Sequence, residues 1–133
     1  MEVEKVYITW EEIESLVDDL ALELHLKNIK FTKIHGLSRG GLIPAVLLSH
    51  KLSIPYTDSI DENTLVVDDI CDSGETLVNL ISTINVKTAV LHYKPVVSKF
   101  TPTVYADAFF GNEWLVYPWE KKDSNAIQDY KLN

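Results

Sequence analysis

Residues 64–77 read TLVVDDICDSGETL, and this stretch restricts the fold more than any other. Thr64, Leu65, Val66 and Val67 run without polar alternation straight into two aspartates. An unbroken apolar run suits a strand covered on both faces, as in a parallel sheet with helices on each side. A turn containing Ser73 and Gly74 follows. From Glu75 to Ile84 the spacing of Leu77, Leu80, Ile81 and Ile84 predicts a helix with one apolar face. Strand, glycine-opened turn and helix in that order form a unit whose turn lies at the carboxyl end of the strand, where open α/β sheets bind ligands.

The rest of the chain repeats the alternation. Residues 10–27 carry Ile13, Leu16, Val17, Leu20, Ala21 and Leu24 at helical spacing, and Thr9 with Glu12 makes a capping box in front of them. FTKIHGL, 31–37, reads as a short strand and SRGG, 38–41, as a loop. Pro44 suits the first turn of a helix running to about Leu52. KTAVLHY, 87–93, and VYADAFF, 104–110, read as strands, and WLVYPW, 114–119, as a short extended segment ended by Pro118. The expected fold is α/β, a mainly parallel twisted sheet flanked by helices. At 133 residues one domain, 1–133, is expected. SRGG and DDICDSGET both fall at carboxyl ends of strands, so two separate loops are predicted to share one face.

A formal net charge of −8 disfavours nucleic acid as a partner, because phosphate backbones need a positive face. No apolar run approaches the roughly 20 residues of a membrane span, and MEVEKVYITW lacks the basic-then-apolar pattern of a signal peptide. Cys71, the single cysteine, has no internal disulfide partner. The expectation is a cytoplasmic protein with no membrane partner. His25, His35, His50 and His92 stand at no metal-ligand spacing and read as structural or surface residues. Trp10 and Trp119 read as packing residues.

Three carboxylates beside an anion-type loop pose a chemical problem. Gly74 admits close backbone approach, Ser73 and Thr76 supply hydroxyls, and the helix start supplies amides and a favourable dipole. No lysine follows as a nucleoside-triphosphate loop requires, so the loop suits a single phosphate monoester. Asp68 and Asp69 would repel that phosphate unless they face something else. Vicinal sugar hydroxyls are one partner, since a carboxylate accepts two hydrogen bonds at once. A bridging Mg²⁺ is another. Asp72, on the loop itself, suits a base or an electrostatic stabiliser. Adjacent aspartates also serve as plain turn formers, and Ser-Gly-Glu-Thr also simply starts helices. The ligand implied by the whole pattern is a sugar phosphate with free hydroxyls, with Mg²⁺.

VVDDICDSGETL resembles the ribose-phosphate signature of type I phosphoribosyltransferases. YITWEEIESLVDDLALEL with GLSRGGLIPAVLL is similar to the N-terminal half of bacterial xanthine-guanine (6-oxopurine) phosphoribosyltransferases. YKP at 93–95 and EWLVYPWE at 113–120 are similar to that subfamily's base-binding hood. The resemblance implies transfer of 5-phosphoribose from 5-phosphoribosyl-1-pyrophosphate (PRPP) to guanine, xanthine or hypoxanthine, with release of pyrophosphate, in purine salvage. It implies Mg²⁺ as cofactor and a homo-oligomer, dimer or tetramer.

By the same resemblance Asp68 and Asp69 would hold the ribose hydroxyls, directly or through Mg²⁺. Asp72, Ser73, Gly74, Glu75 and Thr76 would bind the 5′-phosphate, with Asp72 also handling a purine proton. Asp72, Asp68 and Asp69 are thus the catalytic candidates. Ser38, Arg39 and Gly40 would take the pyrophosphate, Lys94 would donate to the 6-oxo group, and Trp114 would stack on the purine. The family's long mobile loop before the aspartate strand has only SIPYTDSIDEN, 53–63, in its place, with Asp58, Asp61 and Glu62 and no basic residue. The tail KKDSNAIQDYKLN is short for a complete hood, so the hood is expected to be small and reduced. The alternative expectation is therefore a catalytically weak or inactive regulatory module that binds PRPP or a nucleotide.

Overall fold

The chain opens with a strand that its sequence does not announce, β1 (Lys5–Tyr7). The structure, a computed structural model, describes residues 4–120; the tail that was expected to be short for a hood lies outside the described residues. Helix α1 (Trp10–Leu26) follows, with both halves of the Thr9–Glu12 capping box formed. Its apolar stripe, Ile13, Val17, Leu20, Ala21 and Leu24, is buried, each large side chain contributing on the order of 1.5–3 kcal/mol on leaving water.

Next come β2 (Lys33–Gly36), α2 (Ser38–Leu52), β3 (Thr64–Cys71), α3 (Glu75–Ile81), β4 (Lys87–Tyr93), β5 (Val104–Ala108) and β6 (Trp114–Val116). Strands β2-β3-β4-β5 form one sheet in sequence order, and β1-β6 form a second. Every pairing is parallel, as the unbroken apolar strands require. Leu65, Val66, Val67, Ala89, Val90 and Leu91 are wholly buried, which fits strands covered on both faces.

Three expectations need correction. SRGG is not a loop. It forms the first turn of α2, and Ser38 takes the left-handed conformation at φ 54°. Pro44 consequently lies inside α2 rather than in its first turn, where it leaves the Gly40 carbonyl without its usual amide donor. Strand β3 carries both aspartates, as the reading of TLVVDD as one strand expects, and runs on to Cys71. Helix α3 also ends at Ile81, short of Ile84.

The 53–63 interval is stitched to the margin of the sheet. Ile34 N–H donates to the Pro55 carbonyl at 2.9 Å and Thr57 N–H to the Ile34 carbonyl at 2.8 Å, making a parallel bridge between Ile34 and Tyr56. His35 Nδ1 lies 2.8 Å from the Thr57 carbonyl, and the Gly36 amide donates to the Tyr56 hydroxyl at 3.3 Å. Lys33 pairs with Asp61 at the far end of the segment.

Candidate functional site

Two glycines let α2 press onto the carboxyl end of β3. A Cβ on Gly41 would lie 2.2 Å from the Val67 carbonyl oxygen, and one on Gly40 would lie 2.5 Å from Asp69 Oδ2. At Gly41 the obstacle is backbone; at Gly40 it is a carboxylate side chain that must move. The Leu37 amide donates to the same Val67 carbonyl at 2.8 Å, fixing the helix entry. Ser38 and Arg39 are exposed on this turn while Gly40 is half-buried against the Asp69 carboxylate. The turn expected to take pyrophosphate therefore adjoins the carboxylate expected to take ribose.

Asp68 Oδ1 accepts from the Asp69 amide at 2.9 Å, and Asp69 Oδ1 accepts from the Ile70 amide at 2.8 Å. Both side chains are half-buried. The protein packed around the Asp69 carboxyl raises its pKa to about 6; its interaction with the Asp68 side chain and the hydrogen bond from the Ile70 amide oppose this, and the Glu120 charge adds to it. A carboxylate held so reluctantly in its charged form is ready for a cation or for hydroxyl donors.

The Ser73–Thr76 loop is positioned by the segment after β4. Gly74 adopts φ 85°, in the left-handed region, where any side chain is strained. A Cβ there would also lie 2.8 Å from Ser98 Oγ and from the Phe100 amide nitrogen. The Lys99 amide donates to the Ser73 carbonyl at 2.8 Å, and the Glu75 amide donates to Ser73 Oγ at 3.4 Å. Cys71 is buried beneath the loop with its Sγ 3.2 Å from Ser98 Oγ. Burial chiefly pushes its thiol pKa up, which marks a structural rather than a reactive thiol.

Asp72 meets the residue that follows β4. Its Oδ2 lies 3.5 Å from Lys94 Nζ. Lys94 is only 8% exposed. Its ammonium also reaches the Glu113 carbonyl at 3.5 Å, and it stands 5.8 Å from the Phe109 ring centroid and 6.0 Å from that of Trp114. Asp72, Lys94 and Trp114 are thus brought together. Trp114 pairs with Lys5 of β1, and the carbonyl of Glu4, just before that strand, accepts from the Trp114 amide at 2.7 Å. The indole Nε1 is buried without a hydrogen-bond partner.

Sequence reasoning missed Phe109, Tyr117 and Glu120 as neighbours of the site. Tyr117 links the hood to the main sheet: its hydroxyl lies 2.8 Å from His92 Nδ1 and 3.3 Å from the Asp69 carbonyl. The pair His92 and Tyr117 carries no spacing signal, and only the docking of the hood on β3 and β4 reveals it. Trp119 packs as expected, stacked on Tyr117 at 5.0 Å and 5°; Trp10 meets it at 6.0 Å but stays half-exposed.

No protein-family profile matches the sequence. Individual proteins do. A xanthine-guanine phosphoribosyltransferase of Idiomarina loihiensis is 26% identical over 140 residues, covering 86% of each chain. The crystal structure of a purine phosphoribosyltransferase from Pyrococcus horikoshii is 29% identical, superposes with a TM-score of 0.77, and is matched over 94% of this chain and 99% of that one. The xanthine-guanine-hypoxanthine phosphoribosyltransferase of Helicobacter pylori has a TM-score of 0.74 over 88% of this chain and 94% of that one; at 18% identity it shows the shared fold alone.

Proposed function

We propose that the chain is a type I phosphoribosyltransferase, as its likeness to purine phosphoribosyltransferases supports, and that it transfers 5-phosphoribose from PRPP to a 6-oxopurine with release of pyrophosphate. The observation that carries the choice of base is Lys94, an ammonium nearly sealed from water between Asp72 and the rings of Phe109 and Trp114. A fixed cation beside aromatic rings meets a 6-oxo acceptor well and leaves a 6-amino group unpaired. Trp114 and Phe109 supply the planar walls.

The reaction places positive charge on C1 of the ribose as pyrophosphate departs. Asp68 and Asp69, at the end of β3, stand where negative charge near the sugar stabilises that cation. Ser38, Arg39 and Gly40 receive the leaving group, Arg39 offering a planar fork that matches phosphate oxygens. Ser73 to Thr76 hold the 5′-phosphate. Asp72, beside Lys94, is assigned to the purine's imidazole proton.

Among the described residues, no group of three or more His, Cys, Asp or Glu side chains forms a metal cage. That suits Mg²⁺ carried by the substrate, which uses one or two carboxylates with phosphate oxygens and water. Asp68 and Asp69 would hold it, and the buried Asp69 carboxyl is the kind of group a cation returns to its charged form. When bound, Mg²⁺ supplies charge neutralisation to the pyrophosphoryl group. The half-exposed Leu42 and Val46, one turn apart on α2, support the expectation of a homo-oligomer.

One observation favours the second reading, a PRPP-binding module with little turnover. The interval where the family places its closing loop is occupied by sheet pairing at Pro55 and Thr57, so little chain remains to exclude water from C1. Assays with PRPP, Mg²⁺ and a panel of guanine, xanthine, hypoxanthine and adenine, following pyrophosphate release, separate the two. Turnover restricted to 6-oxopurines supports the enzyme. Calorimetric binding of PRPP with no pyrophosphate release for any base would sink it and leave the module.

A further inference from the structure

We propose that His92 and Tyr117 are positioning residues, forming a one-way hydrogen-bond relay from His92 Nδ1–H to the Tyr117 hydroxyl to the Asp69 carbonyl that fixes the ribose-side aspartates relative to the base-side hood. The role in ligand binding rests on the reading of Asp69 as a ribose contact; the relay itself does not.

The direction follows from proton counting. A phenol has one proton, and a carbonyl only accepts. With the Tyr117 hydroxyl donating to the Asp69 carbonyl at 3.3 Å, its 2.8 Å contact with His92 Nδ1 requires the imidazole to be the donor. His92 is 4% exposed. Burial chiefly lowers its pKa and the Lys94 charge lowers it further, against the opposite pull of Asp107 and Glu12. The neutral ring therefore carries its one N–H at Nδ1. A tyrosine phenol keeps its proton at neutral pH, so Tyr117 stays a donor.

The phenol's aim is set independently. Its ring stacks on Trp119, its own amide donates to Glu120 Oε2 at 2.7 Å, and His92 packs edge-on to Phe109 at 6.5 Å. The pairing of β2 with β3 ends at Gly36 and Val67, so the Asp69 carbonyl lies beyond the end of β2, where a side chain from the hood meets it instead. Tyr117 follows β6, the strand that begins with Trp114. One hydroxyl thus ties the expected stacking residue and the expected ribose carboxylate into a single rigid unit.

Two measurements on the full chain test this. Nitrogen-15 NMR of the wild type should find His92 as the Nδ1–H tautomer at neutral pH; the Nε2–H tautomer would overturn the relay. Calorimetry with PRPP and Mg²⁺ should find affinity on the order of 5- to 10-fold weaker in Tyr117→Phe, which removes one buried hydroxyl and keeps the ring. Ile13→Val, a mild truncation in the α1 core, should lower Tm without moving that affinity. Unchanged PRPP affinity in Tyr117→Phe, or an equal loss in Ile13→Val, would overturn the positioning role. Failure of the wild type to bind PRPP would overturn the functional reading and the positioning role with it, while the tautomer still decides the relay.

Discussion

Gly40→Ala and Gly41→Ala differ by one position along α2 and should fail in different ways. A methyl on Gly40 would lie 2.5 to 2.9 Å from the three atoms of the Asp69 carboxylate, which is a side chain with a free χ1. Rotating it away loses its hydrogen bond from the Ile70 amide, costing about 1.5–3 kcal/mol for a charged acceptor. Alanine in place of glycine inside a helix returns about 1 kcal/mol. The net loss is about 0.5–2 kcal/mol, a fall in Tm of several degrees for a chain of this size. A methyl on Gly41 instead meets backbone, 2.2 Å from the Val67 carbonyl oxygen and 3.0 Å from Asp68 Cα. Nothing there can rotate, so α2 must lift from β3, and the expected loss is larger. Ligand affinity reverses the order of interest. Displacing the Asp69 carboxylate removes its contacts to the sugar, so Gly40→Ala should bind PRPP with Mg²⁺ on the order of 10- to 100-fold more weakly while remaining folded. Differential scanning calorimetry and titration calorimetry on both variants check this. A folded Gly40→Ala protein with wild-type PRPP affinity would refute the reasoning, as would a larger loss of Tm in Gly40→Ala than in Gly41→Ala.

Burial pushes the Asp69 carboxyl up from the ordinary carboxylate range to about 6, so the native state holds this proton longer than the unfolded chain. Its contribution to stability is therefore full below about pH 4 and is lost as pH rises to about 6; PRPP–Mg²⁺ affinity, which needs the charged form, should rise over the same range, and Asp69→Asn should flatten both profiles. Trp114→Ala should raise KM for the base on the order of 10- to 100-fold, from a stacking contribution of about 1–3 kcal/mol, with a much smaller change in KM for PRPP; equal changes would mark it as a packing residue. Lys94→Met should lower kcat/KM for guanine and hypoxanthine on the order of 10- to 100-fold through loss of a charged hydrogen-bond donor, and an undiminished preference for 6-oxo bases over adenine would remove Lys94 from the specificity argument.

Local chemistry made part of this architecture legible. Helix α1 is written in a 3.6-residue stripe and a capping box, and both formed. Strand β3 is written in an apolar run that only a doubly covered strand accommodates. Other features depend on contacts between distant segments. Strand β1 has three residues and acquires its partner only when β6 arrives in parallel register. SRGG has the composition of a loop, yet docking through Gly40 and Gly41 against β3 makes it helical. The pairing of Asp72 with Lys94 was equally hidden, because the two lie on different segments that only the folded sheet brings together. The tyrosine that reaches the Asp69 carbonyl is one polar tip among six tyrosines, and no spacing singles it out.

Pro55 and Thr57 fill the backbone positions beside Ile34 that would otherwise face water unpaired. A bare outer strand is a template on which other chains can nucleate cross-β growth. The 53–63 connector covers that margin, so a variant in which Pro55 and Thr57 no longer pair with Ile34 should expose it to such growth.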